Sequence, residues 1–118
     1  VTDPLLAAAL VGVGGSLGAV ARHAVGLRIE GRRSVVVVNA FGSLALGAAL
    51  AAPIGSAATL LLAVGACGAF TTFSSFAVET VSTARVGEGD VAVGFAAANL
   101  LAALAAFLVG SALVGAAV

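Results

Sequence analysis

Four long apolar stretches take up almost the whole chain, and that arrangement excludes a water-soluble fold. Of 118 residues, 62% are hydrophobic and only 8% are charged. A soluble domain of this size needs far more polar side chains to cover its surface, so the composition belongs to the membrane class. A spanning helix takes roughly 20 mainly apolar residues. Four such helices fit, leaving little chain for anything else, so residues 1–118 read as one all-α transmembrane domain. The formal net charge is zero, and nothing directs the chain to nucleic acid. The start, Val1-Thr2-Asp3-Pro4, lacks the basic region of a signal peptide, so the first apolar segment is expected to remain as a helix. Cys67 is the lone cysteine, which rules out a disulfide within the chain. Trp and Tyr are absent, so no ordinary aromatic belt anchors these spans.

The first segment runs from about Leu5 to Leu27. Its Gly14 and Gly18 form a G-x-x-x-G pair, which lets a neighbouring helix approach closely. Arg22 and His23 stand near its end, and Arg28, Glu30, Arg32 and Arg33 read as a charged interfacial loop. The second segment runs from about Ser34 to Ala52. Its run Val35–Val38 suits a buried strand in isolation, but a helix fits a chain with no soluble core. Pro53 and Gly55 end it. The third segment, from about Ala57 to Ala84, is too long for a plain span of roughly 20 residues. Its middle, Gly65 to Phe76, concentrates glycines and hydroxyl residues, which predicts a helix broken at mid-membrane depth. Non-helical backbone is tolerated there only when it is buried in protein or lines a wet cavity, and such breaks present carbonyls to ions. The fourth segment runs from about Val91 to the end and carries one amide, Asn99.

Several side chains admit two readings. Asn39 lies inside the second segment on one face with Gly42 and Ser43. It suits either a helix–helix hydrogen bond or an amide donating N–H to an anion in a pore. Phe73 and Phe76 share a helical face. They suit ordinary packing, or a path in which their positive ring edges meet a dehydrated anion. Thr72, Ser74, Ser75, Thr80 and Thr83 would add hydroxyls to that path. Glu79, one turn beyond Phe76, is either solvated at the interface or functional within the span. Arg22 either snorkels to the headgroups or guards an anion vestibule. Enzyme readings fail: one His and one Cys far apart make no zinc site, and a phosphate loop lacks its Lys.

The motifs resemble those of the fluoride channel family (Fluc, also called CrcB). Gly14-Gly15-Ser16-Leu17-Gly18-Ala19-Val20-Ala21-Arg22-His23 is similar to the family's first-helix motif. Val38-Asn39-Ala40-Phe41-Gly42-Ser43-Leu44-Ala45-Leu46-Gly47 is similar to the second, and Gly65 through Phe76 to the third-helix signature. Asn99 and Phe95 fall where the family tends to place a pore hydroxyl and an aromatic. The resemblance implies an antiparallel dimer with two fluoride pores, passive efflux of fluoride from the cytoplasm, and a structural sodium ion at the dimer centre. It implies that the backbone carbonyls of Gly68 and Thr71 hold the sodium. Asn39, Phe73, Phe76 and Glu79 match the family's pore positions. His23, Ala69 and Asn99 depart from the usual Tyr, Gly and Ser or Thr.

Charge distribution adds an expectation about orientation. Arg28, Arg32, Arg33 and Arg85 all fall in the loops after the first and third segments. The opposite side carries no basic residue, so the positive-inside rule places both charged loops in the cytoplasm. An antiparallel pair would then need a homologue of opposite bias, with a homodimer as the alternative. The runner-up function is a subunit of a small proton-coupled multidrug exporter, whose mechanism needs a carboxylate inside the first span. Asp3 lies before that span. A non-transporting assembly protein is the third reading.

Overall fold

A computed structural model describes residues 3–118. Val1 and Thr2, which open the stretch read for a leader signal, lie outside the described residues. The secondary structure among the described residues is helical throughout, with no strand. Four helices are long and apolar enough to cross a membrane.

Helix α1 spans Pro4–Gly26. Asp3 caps it, its carboxylate accepting from the Leu5 N–H at 3.0 Å, and Pro4 supplies a first-turn residue that needs no hydrogen-bond acceptor. Helix α2 spans Gly31–Ala51. It starts earlier than the valine run suggests, so Arg32 and Arg33 stand in its first turn and not in a loop. Gly31, at φ +65, makes the turn that permits this. The valines Val35–Val38 are helical.

The third span, Gly55–Arg85, covers 31 residues and has four parts. A short helix α3 (Gly55–Thr59) leads into a π-helical stretch, Leu60–Cys67, and then into a single turn, α4 (Gly68–Phe70). Regular geometry stops there: Thr71 is extended, with φ −76 and ψ 162. Helix α5 then runs Ser74–Arg85. Its end is closed by Gly87 at φ +86. The Gly87 N–H bonds to the Ala84 carbonyl at 3.1 Å and the Glu88 N–H to Thr83 at 3.2 Å, the paired bonds of a Schellman cap. Helix α6 spans Gly89–Ala117.

The helices pack through missing side chains. A Cβ on Gly14 would strike the Leu61 carbonyl, and one on Gly18 the Ala66 carbonyl, so α1 lies with its backbone against the π-helical stretch. The predicted close approach therefore occurs, and its partner is the irregular part of the third span. Helices α2 and α6 make the most extensive pairing. There, a Cβ on Gly47 would meet the Phe107 carbonyl and one on Gly110 the Leu44 carbonyl. Small residues suit a bilayer, where burying apolar surface gains nothing and van der Waals fit decides. The outward face agrees, with Leu5, Val20, Leu101 and Leu113 among many exposed large apolar side chains. The chain is a multi-pass membrane protein.

One bond fixes which loops share an end. Arg32 Nη1, at the start of α2, donates to Thr83 Oγ1 near the end of α5 at 3.0 Å. The start of α2 and the end of α5, with the arginines they carry, therefore lie on the same side of the bundle.

Candidate functional site

The interruption between α4 and α5 is organised by Asn39. Its Oδ1 accepts the Thr72 N–H at 2.7 Å. Its Nδ2 donates to the Thr72 carbonyl at 3.0 Å and to Asn99 Oδ1 at 3.1 Å. The backbone itself fixes the amide's orientation, because the N–H needs an oxygen and the carbonyl a donor. Both amide protons of Asn39 are thus used inside the chain.

In a continuous helix the Thr72 N–H would bond to the Gly68 carbonyl, and the Ser75 N–H to the Thr71 carbonyl. Neither bond forms. Thr72 N–H goes to Asn39, and Ser75 N–H goes to Thr72 Oγ1 at 3.1 Å. That hydroxyl is the cap of α5. Both carbonyls are released from their helical donors. Gly68 is exposed on the surface of the single chain. Thr71 keeps one contact, from Arg22 Nη1 at 3.2 Å. Its oxygen has two lone pairs, so one remains. Freed carbonyl oxygens at one surface are the donor set that suits a small hard cation.

Phe73, Phe76 and Phe95 form a ladder. The Phe73 and Phe76 centroids are 5.8 Å apart at 48°, and those of Phe76 and Phe95 are 5.5 Å apart at 39°. Both pairs fall in the favourable tilted range. Phe95 is buried, whereas Phe73 at the other end is 78% exposed. An open groove of about 740 Å³ runs past this ladder, with Asn39, Asn99, Gly68, Thr71, Phe73 and Phe76 among its lining residues.

The remaining candidates lie elsewhere. Ser74, Ser75 and half-buried Glu79 share a separate cleft of about 250 Å³. Phe95 lines another groove, together with Arg32 and Arg33. Thr80 and Thr83 turn their hydroxyls back to the carbonyls of Phe76 and Glu79, each at 2.7 Å, and so do not extend a free polar track. Arg22 is half-buried and reaches inward to the break. In the sequence Thr72 is one hydroxyl among several. Its position three residues before Ser75, at a helix start, was the signal for its capping role.

Residues 9–111 match the family model described as CrcB-like protein, Camphor Resistance (CrcB). The chain belongs to the CrcB family. It is 55% identical over 111 residues to a protein of Natronomonas pharaonis named "Fluoride-specific ion channel FluC 2", covering 92% of this chain and 95% of that one. A Haloarcula marismortui protein of the same name is 49% identical over 109 residues, covering 90% and 88%. A Thermus thermophilus protein, "Fluoride-specific ion channel FluC", is 40% identical over 120 aligned positions, covering 90% and 94%. These CrcB relatives are named as channels and not as enzymes.

Proposed function

We propose that this chain forms a fluoride-specific channel that lets fluoride leave the cytoplasm passively. The observation that carries the reading is the groove beside the Asn39–Thr72 clasp, where Phe73 and Phe76 stand with the Asn99 amide. Ring edges and an amide are weak, uncharged donors, suited to an anion that must leave as readily as it enters. The names of the relatives support fluoride as that anion.

A second chain in antiparallel orientation completes the reading. Phe73 is 78% exposed at the groove's edge, and the groove is open on one side, which suits closure by a partner. The break then lies at mid-membrane depth, and a two-fold arrangement brings two pairs of Gly68 and Thr71 carbonyls together. A sodium ion held there would supply a fixed positive charge between two anion paths. Around it, Asn39 holds the backbone, Arg22 ties α1 to Thr71, and Phe73 and Phe76 exclude water from the path.

The test is purified protein in liposomes loaded with fluoride, with efflux followed by a fluoride electrode and chloride as the comparison. Fluoride release that needs neither ATP nor an imposed proton gradient is expected. Proton-driven export of a lipophilic cation would support the exporter reading instead, and no transport of either kind would leave an assembly role.

A further inference from the structure

The groove that Phe95 lines with Arg32 and Arg33 is separate from the one proposed for fluoride. We propose that it is a binding site for one anionic phospholipid, with the headgroup phosphate on the two guanidinium groups and an acyl chain along the apolar floor. The inference does not depend on which ion the chain conducts.

The direction of the groove is the first observation. Its α6 residues include Gly94, Phe95 and Ala98, whereas Ala96, Ala97 and Leu100 line the larger groove. At 3.6 residues per turn, these two sets stand on opposite sides of α6. A second chain that closes the larger groove therefore leaves this one open to the bilayer.

Shape and lining are the second. The groove holds about 630 Å³, within the roughly 300–1,000 Å³ of small-molecule sites. Apart from the arginines, its walls are apolar, with Val36 and Val37 on α2 facing the α6 residues. Arg32 and Arg33 stand in the first turn of α2, and Val91, another wall residue, in the first turn of α6. The charge thus sits at one end. From Val91 to Ala98 the helix rises about 10 Å, which carries the groove from the arginines toward the middle of the span. A charged head and an apolar floor complement a phosphate and its acyl chain, and basic pockets between spans bind anionic headgroups. A chain seated there packs against Phe95, whose ring stacks on Phe76.

The third observation is that the arginines are available. Arg32 spends one N–H on Thr83, which pins its guanidinium, and a guanidinium has five. Arg33 is exposed and has neither a hydrogen bond nor an ion pair among the described residues. The planar fork of each matches phosphate oxygens. The acids at this end, Glu30, Glu88 and Asp90, do not line the groove.

Delipidated protein in an uncharged detergent is titrated with dioleoyl phosphatidylglycerol, dioleoyl phosphatidylcholine or inorganic phosphate. Bound lipid is read by native mass spectrometry, alongside the melting temperature. Wild type should bind one phosphatidylglycerol per chain about tenfold more tightly than phosphatidylcholine. Arg33→Gln should weaken that binding about fivefold. Arg85→Gln, at the same end but outside the groove, should bind as wild type. Gly94→Leu keeps both arginines and fills the groove; a Cβ there meets nothing within 4 Å, so the variant should fold and lose most lipid binding. Equal affinity for the two lipids in wild type overturns the proposal, whatever the variants do. Equal losses in Arg33→Gln and Arg85→Gln would reduce it to diffuse surface attraction, and undiminished binding in Gly94→Leu would remove the acyl chain from the groove. Inorganic phosphate raising the melting temperature as much as the lipid would make this a plain anion site. Lipid bound to single chains and absent from their dimers would show that a second copy covers the groove, and would overturn the lipid.

Discussion

Arg22 on α1 donates a hydrogen bond through Nη1 to the carbonyl of Thr71, 49 residues away, at 3.2 Å. A guanidinium is always charged. It therefore places a permanent positive charge on one of the two carbonyls that the sodium reading uses. Replacing it tests whether the two cations compete. Arg22→Leu is expected to lower the sodium concentration for half-maximal flux about fivefold, because a like charge has been removed from the same oxygen. An unchanged or increased requirement in sodium titrations of flux would show that Arg22 and sodium do not share Thr71.

The sodium ligand is proposed to be main chain, and that has a consequence for mutagenesis. The Thr71 hydroxyl is already bonded to the Cys67 carbonyl at 2.9 Å. Thr71→Ser keeps that bond and should retain flux and its sodium dependence. Full replacement of sodium by a large organic cation should abolish activity in both proteins. Stable, undiminished flux in the organic cation would count decisively against a structural sodium ion.

The phenylalanines should separate function from stability. Phe76 is held between two rings, whereas Phe73 is mostly exposed in the single chain. Both Phe73→Ala and Phe76→Ala are expected to lose most fluoride flux while keeping the wild-type assembly state on a sizing column. Thermal unfolding should differ, with Phe76→Ala costing about 3 kcal/mol and Phe73→Ala clearly less. Wild-type flux from both variants would sink the idea that ring edges line the path.

The glycines give a matched pair for packing. A Cβ at Gly18 meets the Ala66 backbone, while one at Gly12 meets nothing within 4 Å. Gly18→Ala should destabilise the protein by about 1–3 kcal/mol. Gly12→Ala, on the same helix, should be neutral or stabilising by up to about 1 kcal/mol. Equal melting temperatures in detergent would refute backbone contact between α1 and the third span.

The bond from Arg32 to Thr83 brings the arginine-bearing ends together, so the positive-inside bias acts on a single face. We expect this chain to insert mainly one way and to pair with a separately encoded homologue of opposite bias. Expressing it alone with C-terminal reporters, each active on one side of the membrane, checks this. Equal signals from both reporters, with flux from the purified single chain, would mean dual insertion and a homodimer.

Apolar run length made the four spans legible, and Gly14 with Gly18 announced a close helix contact. What remained hidden depends on partners far along the chain. The π-helical stretch Leu60–Cys67 forms against α1, and no periodicity within the stretch encodes that neighbour. Asn39 stood out as an intramembrane amide, but its work is set by Thr72, 33 residues on, and Asn99, 60 residues on. Sequence spacing cannot say which way an amide turns. Helix α2 starts before its charged residues suggest, because the turn at Gly31 opens it there and the Thr83 hydroxyl takes the Arg32 guanidinium.

The reciprocal seats at Gly47 and Gly110 limit how the protein can move. Each glycine receives a carbonyl from the opposite helix, Phe107 into one and Leu44 into the other. A slide of one residue, about 1.5 Å along the axis, would lift both carbonyls out of their hollows and press them onto neighbours that carry a Cβ. Piston-like travel of α6 along α2 is thereby blocked in both directions. The two helices act as a single strut, and any conformational cycle must pivot around it.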